Sequence, residues 1–313
     1  MKKLLFIVTA LVAMSFSQSC DPNPMDKVPM VKTFAISGET IGSDALSTDG
    51  KGNIYASNYI GTSNDPTNGN GTTVYKITPQ GERSVFVDGL GGPAGSCFDN
   101  AGNFFVCTFN DGKVIKVSAN GTKQVFAEGL EGPIQVVSDK TGNLFVSVAG
   151  IGNAPGTKIY KFTPSGVKST LVDLASLGGF ALSGVTIDAA NNLYVANYVN
   201  GIIFKVTPQG LATLFADLGS LGASYTPITS YLTIFNNSIF ATGLFANRIY
   251  KITLAGQASV LAGTGVAGSA DGKLNEATFA GPNGIVTDPL KSVLYISESA
   301  SKKVRLITEL RKL

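Results

Sequence analysis

The chain has 313 residues, 44% of them hydrophobic and only 14% charged, with a formal charge of +3. A near-neutral chain with no basic stripe is a poor partner for nucleic acid. It contains no His and no Trp, which excludes Ser-His-Asp and Cys-His catalysis and zinc sites built on imidazole.

Residues 1–19 read as a signal peptide: Lys2 and Lys3 form a basic start, residues 4–16 are an apolar run too short to span a bilayer, and small residues follow. Loss of those two lysines takes the charge from +3 to +1. Ser17-Gln18-Ser19-Cys20 resembles a bacterial lipoprotein cleavage box, with Ser17 where Leu is usual and Phe16 one position earlier. The resemblance implies lipidation of Cys20 and a protein held at the bacterial cell envelope, facing the periplasm or the cell surface; ordinary secretion is the other reading. Residues 20–30 form a tether, because Pro22, Pro24 and Pro29 interrupt regular hydrogen bonding.

From residue 31 to 313 the chain is a repeat array. One anchor is a basic residue, an apolar residue and Thr-Pro or a relative: Lys76-Ile77-Thr78-Pro79, Lys116-Val117-Ser118-Ala119, Lys161-Phe162-Thr163-Pro164, Lys205-Val206-Thr207-Pro208, Lys251-Ile252-Thr253-Leu254 and Arg305-Leu306-Ile307-Thr308. A second, Asp-x-x-Gly-Asn followed by an apolar pair, precedes each, starting at Asp49, Asp99 and Asp139, with looser versions at Asn191, Asn236 and Asp288. A third follows, as in Val85-Phe86-Val87 and Val125-Phe126-Ala127. Each unit thus holds four short β-rich runs joined by tight turns. Four antiparallel strands in about 45 residues, repeated around a ring, give an all-β, six-bladed β-propeller. The last unit lacks a fourth strand, and Val31-Lys32-Thr33-Phe34-Ala35 resembles the missing one. The N-terminal strand is therefore expected to close the last blade and leave no open edge.

With strands named A to D from the axis outward, the Asp-x-x-Gly-Asn turns and the Thr-Pro-x-Gly turns share one face. The long connections 60–72, 149–157, 173–184, 217–227 and 262–280 all fall on the other, where binding is expected. A-strand starts carry Asp44, Ala94, Ile134, Ser183 and Asn283, and B-strand ends carry Asn58, Thr108, Val148, Asn197, Gly243 and Glu298. Asp44, Asn58, Gln135, Asn197, Asn283 and Glu298 are expected to face the axis, either as hard oxygen ligands suited to Ca²⁺ or Mg²⁺ or as caps on strand ends. Tyr59, Phe109 and Tyr198 follow the B-strand ends and suit a stacking rim or packing between blades. The run of oxygen side chains from Asn64 to Gly71 lacks the spaced acids of a calcium loop. Cys97 and Cys107 flank a hairpin turn and are expected to be small buried residues, not a disulfide.

Gly263-Thr264-Gly265-Val266-Ala267-Gly268, Ala277-Thr278-Phe279 and Gly281-Pro282-Asn283-Gly284-Ile285 resemble NHL-repeat proteins. The whole of 31–313 resembles the SMP-30/gluconolactonase-like six-bladed propellers. The resemblance implies a scaffold that serves lactonases, lyases and binding modules alike. It also implies a divalent metal held by Glu, Asn and Asp at A-strand starts. On those positions only Asp44 and Asn283 have the right chemistry, because Ala94 and Ile134 cannot coordinate, so the ligand set is incomplete. The His of lyase-like relatives is absent. The leading expectation is a lipid-anchored binding module whose long-loop face holds a carbohydrate, a peptide or an envelope protein, with Asn58, Tyr59, Gln135, Asn197 and Tyr198 on the rim. The alternative is a divalent-metal-dependent, lactonase-type hydrolase with Asp44, Asn283 and Glu298 as ligands. No organic cofactor and no catalytic residue are assigned.

Overall fold

The computed structural model describes residues 28–36, 44–59, 69–152, 154–221 and 229–313. The signal segment, Cys20 and the acidic and amide residues at 64–68 lie outside the described residues. Six antiparallel sheets radiate from an axis, five of them running A-B-C-D in chain order and the last completed by the N-terminal strand. Their innermost strands are Leu46–Thr48, Pro93–Phe98, Pro133–Ser138, Leu182–Ile187, Thr229–Phe235 and Pro282–Asp288. Each touches the innermost strand of the blades on both sides, and the last touches the first.

The ring closes as the sequence leads one to expect. Met30–Thr33 pairs antiparallel with Val304–Ile307, with Val31 opposite Ile307 and Thr33 opposite Arg305. Gly272–Lys273, from the longest connection, pairs on the outer side of that strand. The last blade therefore has five strands and covers its own seam.

Turn chemistry explains why these segments form hairpins. Asp99 Oδ1 accepts the backbone N–H of Ala101 and Asn103, and its Oδ2 accepts from Asn103 Nδ2. Asp49, Asp139 and Asp188 do the same. The turn carboxylates are thus consumed locally, away from the long-loop face. The fourth residue of the turn needs positive φ, supplied by Gly102 at 80° and, in the fourth blade, which has no glycine there, by Asn191 at 64°. The loosest copy is a two-residue turn in which Asn236 and Asn237 both take positive φ, at 46° and 57°.

The repeated lysine has a physical role. Lys116, Lys161 and Lys205 lie over the rings of Phe105, Phe145 and Tyr194, their direct cross-strand partners. In the last blade the residue opposite the B-strand aromatic is Leu306, facing Tyr295, and not Arg305. The sequence alignment of Arg305 with the lysines is thus one residue out of step. Because side chains alternate along a strand, one step sends Arg305 to the opposite, buried face.

Apolar packing sits between blades. Six clusters among the described residues each join two neighbouring sheets, for example Tyr55, Val74, Phe104 and Val106 between the first and second. Cys107 is buried and Cys97 partly so, both are free thiols, and Cys97 pairs across the hairpin with Phe105.

Candidate functional site

Along the inner strands, the A–B pairing slips at one place in each of five blades. The residue following the first paired position is left without a cross-strand partner: Ala94, Ile134, Ser183, Ser230 and Asn283. Such a bulge re-aims a side chain, and here it points into the axial channel. With Asp44 of the first blade, these six residues line one cavity of about 900 Å³. A second ring lines the same cavity: Tyr59, Phe109, Ala149, Tyr198, Leu244 and Ser299. Each of these directly follows a B strand, or its last paired residue.

The two rings correct the expected site by one position. The B-strand ends do not line the cavity; the residues after them do, because alternate side chains leave opposite faces of a strand. Asn197 is buried, accepts the N–H of Phe180 and donates to Gly178 O, so it holds a loop and not the rim. Asn58 pairs with Thr73 beside the channel without lining it. Gln135 donates to the carbonyls of Ser96 and Val136 between two blades. Tyr59 and Tyr198 do line the cavity, as does Phe109, whose ring meets Tyr59 edge-on at 5.8 Å.

Glu298 is placed elsewhere. Its carboxylate accepts from Arg305 Nη1 at 3.0 Å, from Ser269 and Ser301 hydroxyls and from the N–H of Ala280, and both ionic residues are fully buried. Arg305 further donates to Asp271 and to the carbonyls of Ala270 and Thr278. The pair fastens the 263–280 connection to the last blade.

Asp44 and Asn283 do meet. Asn283 Nδ2 donates to Asp44 Oδ1 at 2.5 Å, and Tyr231 Oη donates to Asp44 Oδ2 at 2.6 Å. Tyr231, which the sequence reading missed, fills the slot after the bulge residue that Gly95, Gly184 and Gly284 occupy elsewhere. A Tyr in a slot that is glycine in three of the blades was the available signal. At Gly284 a Cβ would come within 2.3 Å of Asp44 O, so the slot is closed by the neighbouring blade.

Burial pushes the Asp44 carboxyl up from 3.8 to about 6, against the pull of its two hydrogen bonds. Burial and then the Asp44 charge raise the Tyr59, Tyr198 and Tyr231 hydroxyls. A carboxylate bonded to the Tyr231 phenol thus shares the cavity wall with Tyr59 and Tyr198. The bulge carbonyls beneath it are latched blade to blade: Ser147 Oγ donates to Ser183 O, Ser183 Oγ to Thr229 O, Thr242 Oγ1 to Asn283 O and Ser297 Oγ to Asp44 O. These bonds hold the ring of bulges rigid.

Asp44 and Asn283 are bonded to one another, Glu298 is committed to Arg305, and Ala94 and Ile134 offer no donor atom. Among the described residues no group of three His, Cys, Asp or Glu side chains is placed to hold a metal.

The fold is that of a six-bladed β-propeller. It matches an auxiliary nutrient binding protein from Bacteroides thetaiotaomicron with a TM-score of 0.73 at 14% identity, over 90% of this chain and 76% of that one. A gluconolactonase-like protein matches with a TM-score of 0.66 at 14% identity, over 90% of this chain and 92% of its own. Virginiamycin B lyase from Staphylococcus aureus matches at 0.63 and 13%, over 90% of this chain and all of its own. At these identities the likeness is one of fold. No protein-family model matches the sequence, and no curated protein matches it.

Proposed function

We propose that this propeller is an extracytoplasmic, lipid-anchored binding module that takes a small ligand into the axial cavity on its long-loop face. The observation that carries the reading is the cavity itself. About 900 Å³ of concave, largely apolar space with a few convergent polar groups is the size and character of a small-molecule site. The nutrient-binding propeller named above supports the same reading by fold.

The test is a thermal-shift screen of sugars, short peptides, amino acids and amines. A ligand should raise the melting temperature with concentration, and Ala94→Trp, which puts an indole into the cavity, should abolish the shift. A panel without a single hit, or a hit indifferent to Ala94→Trp, refutes the reading. Anchoring is tested separately: incorporation of labelled palmitate should be lost in Cys20→Ala, and labelling that persists there removes the anchor.

The second reading is a divalent-metal-dependent hydrolase. Its support is the contact of Asp44 with Asn283 at the cavity wall. Calorimetry with Ca²⁺, Mg²⁺, Mn²⁺ and Zn²⁺ decides it: micromolar binding lost in Asp44→Ala would favour the enzyme, and no heat with any of the four would end that reading.

A further inference from the structure

We infer that the cavity is built for an organic monocation with an aromatic or aliphatic body. This rests on the binding reading above and narrows its ligand.

The cavity has two unlike halves. Ala94, Phe109, Ile134 and Ala149, from the second and third blades, offer no hydrogen-bonding side chain. The first, fifth and sixth blades bring Asp44, Tyr231, Ser230 and Asn283. Asp44 is the one carboxylate among the lining residues, and no ion pair with it occurs among the described residues. Its two hydrogen bonds come from neutral donors and leave about half of a carboxylate's roughly four acceptor positions. A buried charge without a counter-charge is costly, so an entering cation gains the interaction that the protein leaves unmade. Ser230 Oγ, also on the wall, is 2% exposed as a residue and has no hydrogen-bond partner; it would suit an ammonium N–H or a ligand hydroxyl.

The wall is also aromatic. Tyr59, Phe109, Tyr198 and Tyr231 line the cavity with Asp44, Tyr231 bonds to it directly, and Phe109 stands edge-on to Tyr59. Aromatic rings and a carboxylate in one cavity attract an ammonium group twice over, through charge and through the ring quadrupole. A carbohydrate would leave most of its hydroxyls unpaired against the apolar half, and an anion would meet Asp44. Phe245, an exposed residue of the lining, extends the apolar surface for the body of the ligand.

The experiment is calorimetry on the full chain at pH 8 with three probes of one shape, phenethylammonium, 2-phenylethanol and phenylacetate, and with methyl β-glucoside. Phenethylammonium should bind at least tenfold more tightly than the alcohol, and phenylacetate least. Asp44→Asn should erase the preference for the cation while keeping the alcohol's affinity. The preference should also fade below about pH 6, as Asp44 takes up a proton. Of the other ionisable groups lining the cavity, the Tyr59, Tyr198 and Tyr231 hydroxyls are raised by burial and then by the Asp44 charge, and Lys302 is the one cation. Equal binding of cation and alcohol, a preference that survives Asp44→Asn, or no binding of any aromatic probe overturns the inference. Glucoside binding that Ala94→Trp abolishes would also sink it, yet leave the cavity as the binding site.

Discussion

Asp44 shows how one residue can carry a cost for the fold and a use for the site. Its carboxyl is raised from 3.8 to about 6 mainly by burial. Between those values the folded chain holds its proton more tightly than the unfolded chain does, so stability falls as pH rises through the window. The full shift corresponds to about 3 kcal/mol; Asp44 keeps some contact with solvent, so roughly 1–3 kcal/mol is the realistic range. Asp44→Asn, which can still accept from Asn283, should therefore raise the melting temperature at pH 8 and leave it unchanged at pH 4. Calorimetric melts at the two pH values check this, and an equal effect at both would show that the burial cost is not electrostatic. At the same scale, Glu298 and Arg305 are a buried pair whose partners are all in the last blade and its long connection. Their polar identity was visible in the sequence. Their pairing was not, because the anchor alignment placed Arg305 on the wrong face of its strand.

At the scale of the element, the inner strand decides the site. Its bulge turns one side chain to the axis, and the next position is packed against the adjacent blade. Gly95 shows the constraint: a Cβ there would sit 2.0 Å from Gln135 Oε1 and 2.5 Å from Ile134 O. Gly284 is tighter in kind, since its nearest neighbour is backbone, Asp44 O at 2.3 Å. Gly284→Ala should cost about 1–3 kcal/mol by overpacking, read as a lowered urea midpoint with an unchanged slope. It should also weaken ligand binding, because Asp44 moves with the strand. A neutral effect on the midpoint would mean that the first and last blades are less closely set than this geometry requires. Asp44, Ala94, Ile134, Ser183 and Asn283 of the A-strand series all line the cavity. The series omitted Ser230 because it is counted back from the turn Asp, and the fifth blade has Asn236-Asn237 at its turn instead.

For the whole molecule, closure is the governing feature. Met30–Thr33 is joined to Val304–Ile307, nearly the full length of the chain away, and Gly272–Lys273 pairs on its far side. Deleting residues 30–33 would expose the edges of two strands and uncover the cluster that contains Val31, which is fully buried. The melting temperature should drop markedly, and the variant should associate through its open edge, seen as larger species in size-exclusion chromatography. An unchanged melting temperature would refute closure by that strand.

The sequence alone determined the repeat, the turns and the closing strand. Those depend on local chemistry: Asp-x-x-Gly-Asn satisfies its own backbone, and strand alternation is written in the chain. Only the tertiary structure decided which residues share the cavity. Bulges turn one residue of each of five inner strands to the axis, and along the B strands alternation puts the residue after the end, not the end itself, on the cavity side. Hence the wall holds Tyr59 and Tyr198 in place of Asn58 and Asn197, Glu298 goes to Arg305, and Tyr231 reaches past the sixth blade to Asp44. The contact between Asp44 and Asn283 joins residues 239 positions apart, and no local pattern encodes a distance closed by the ring.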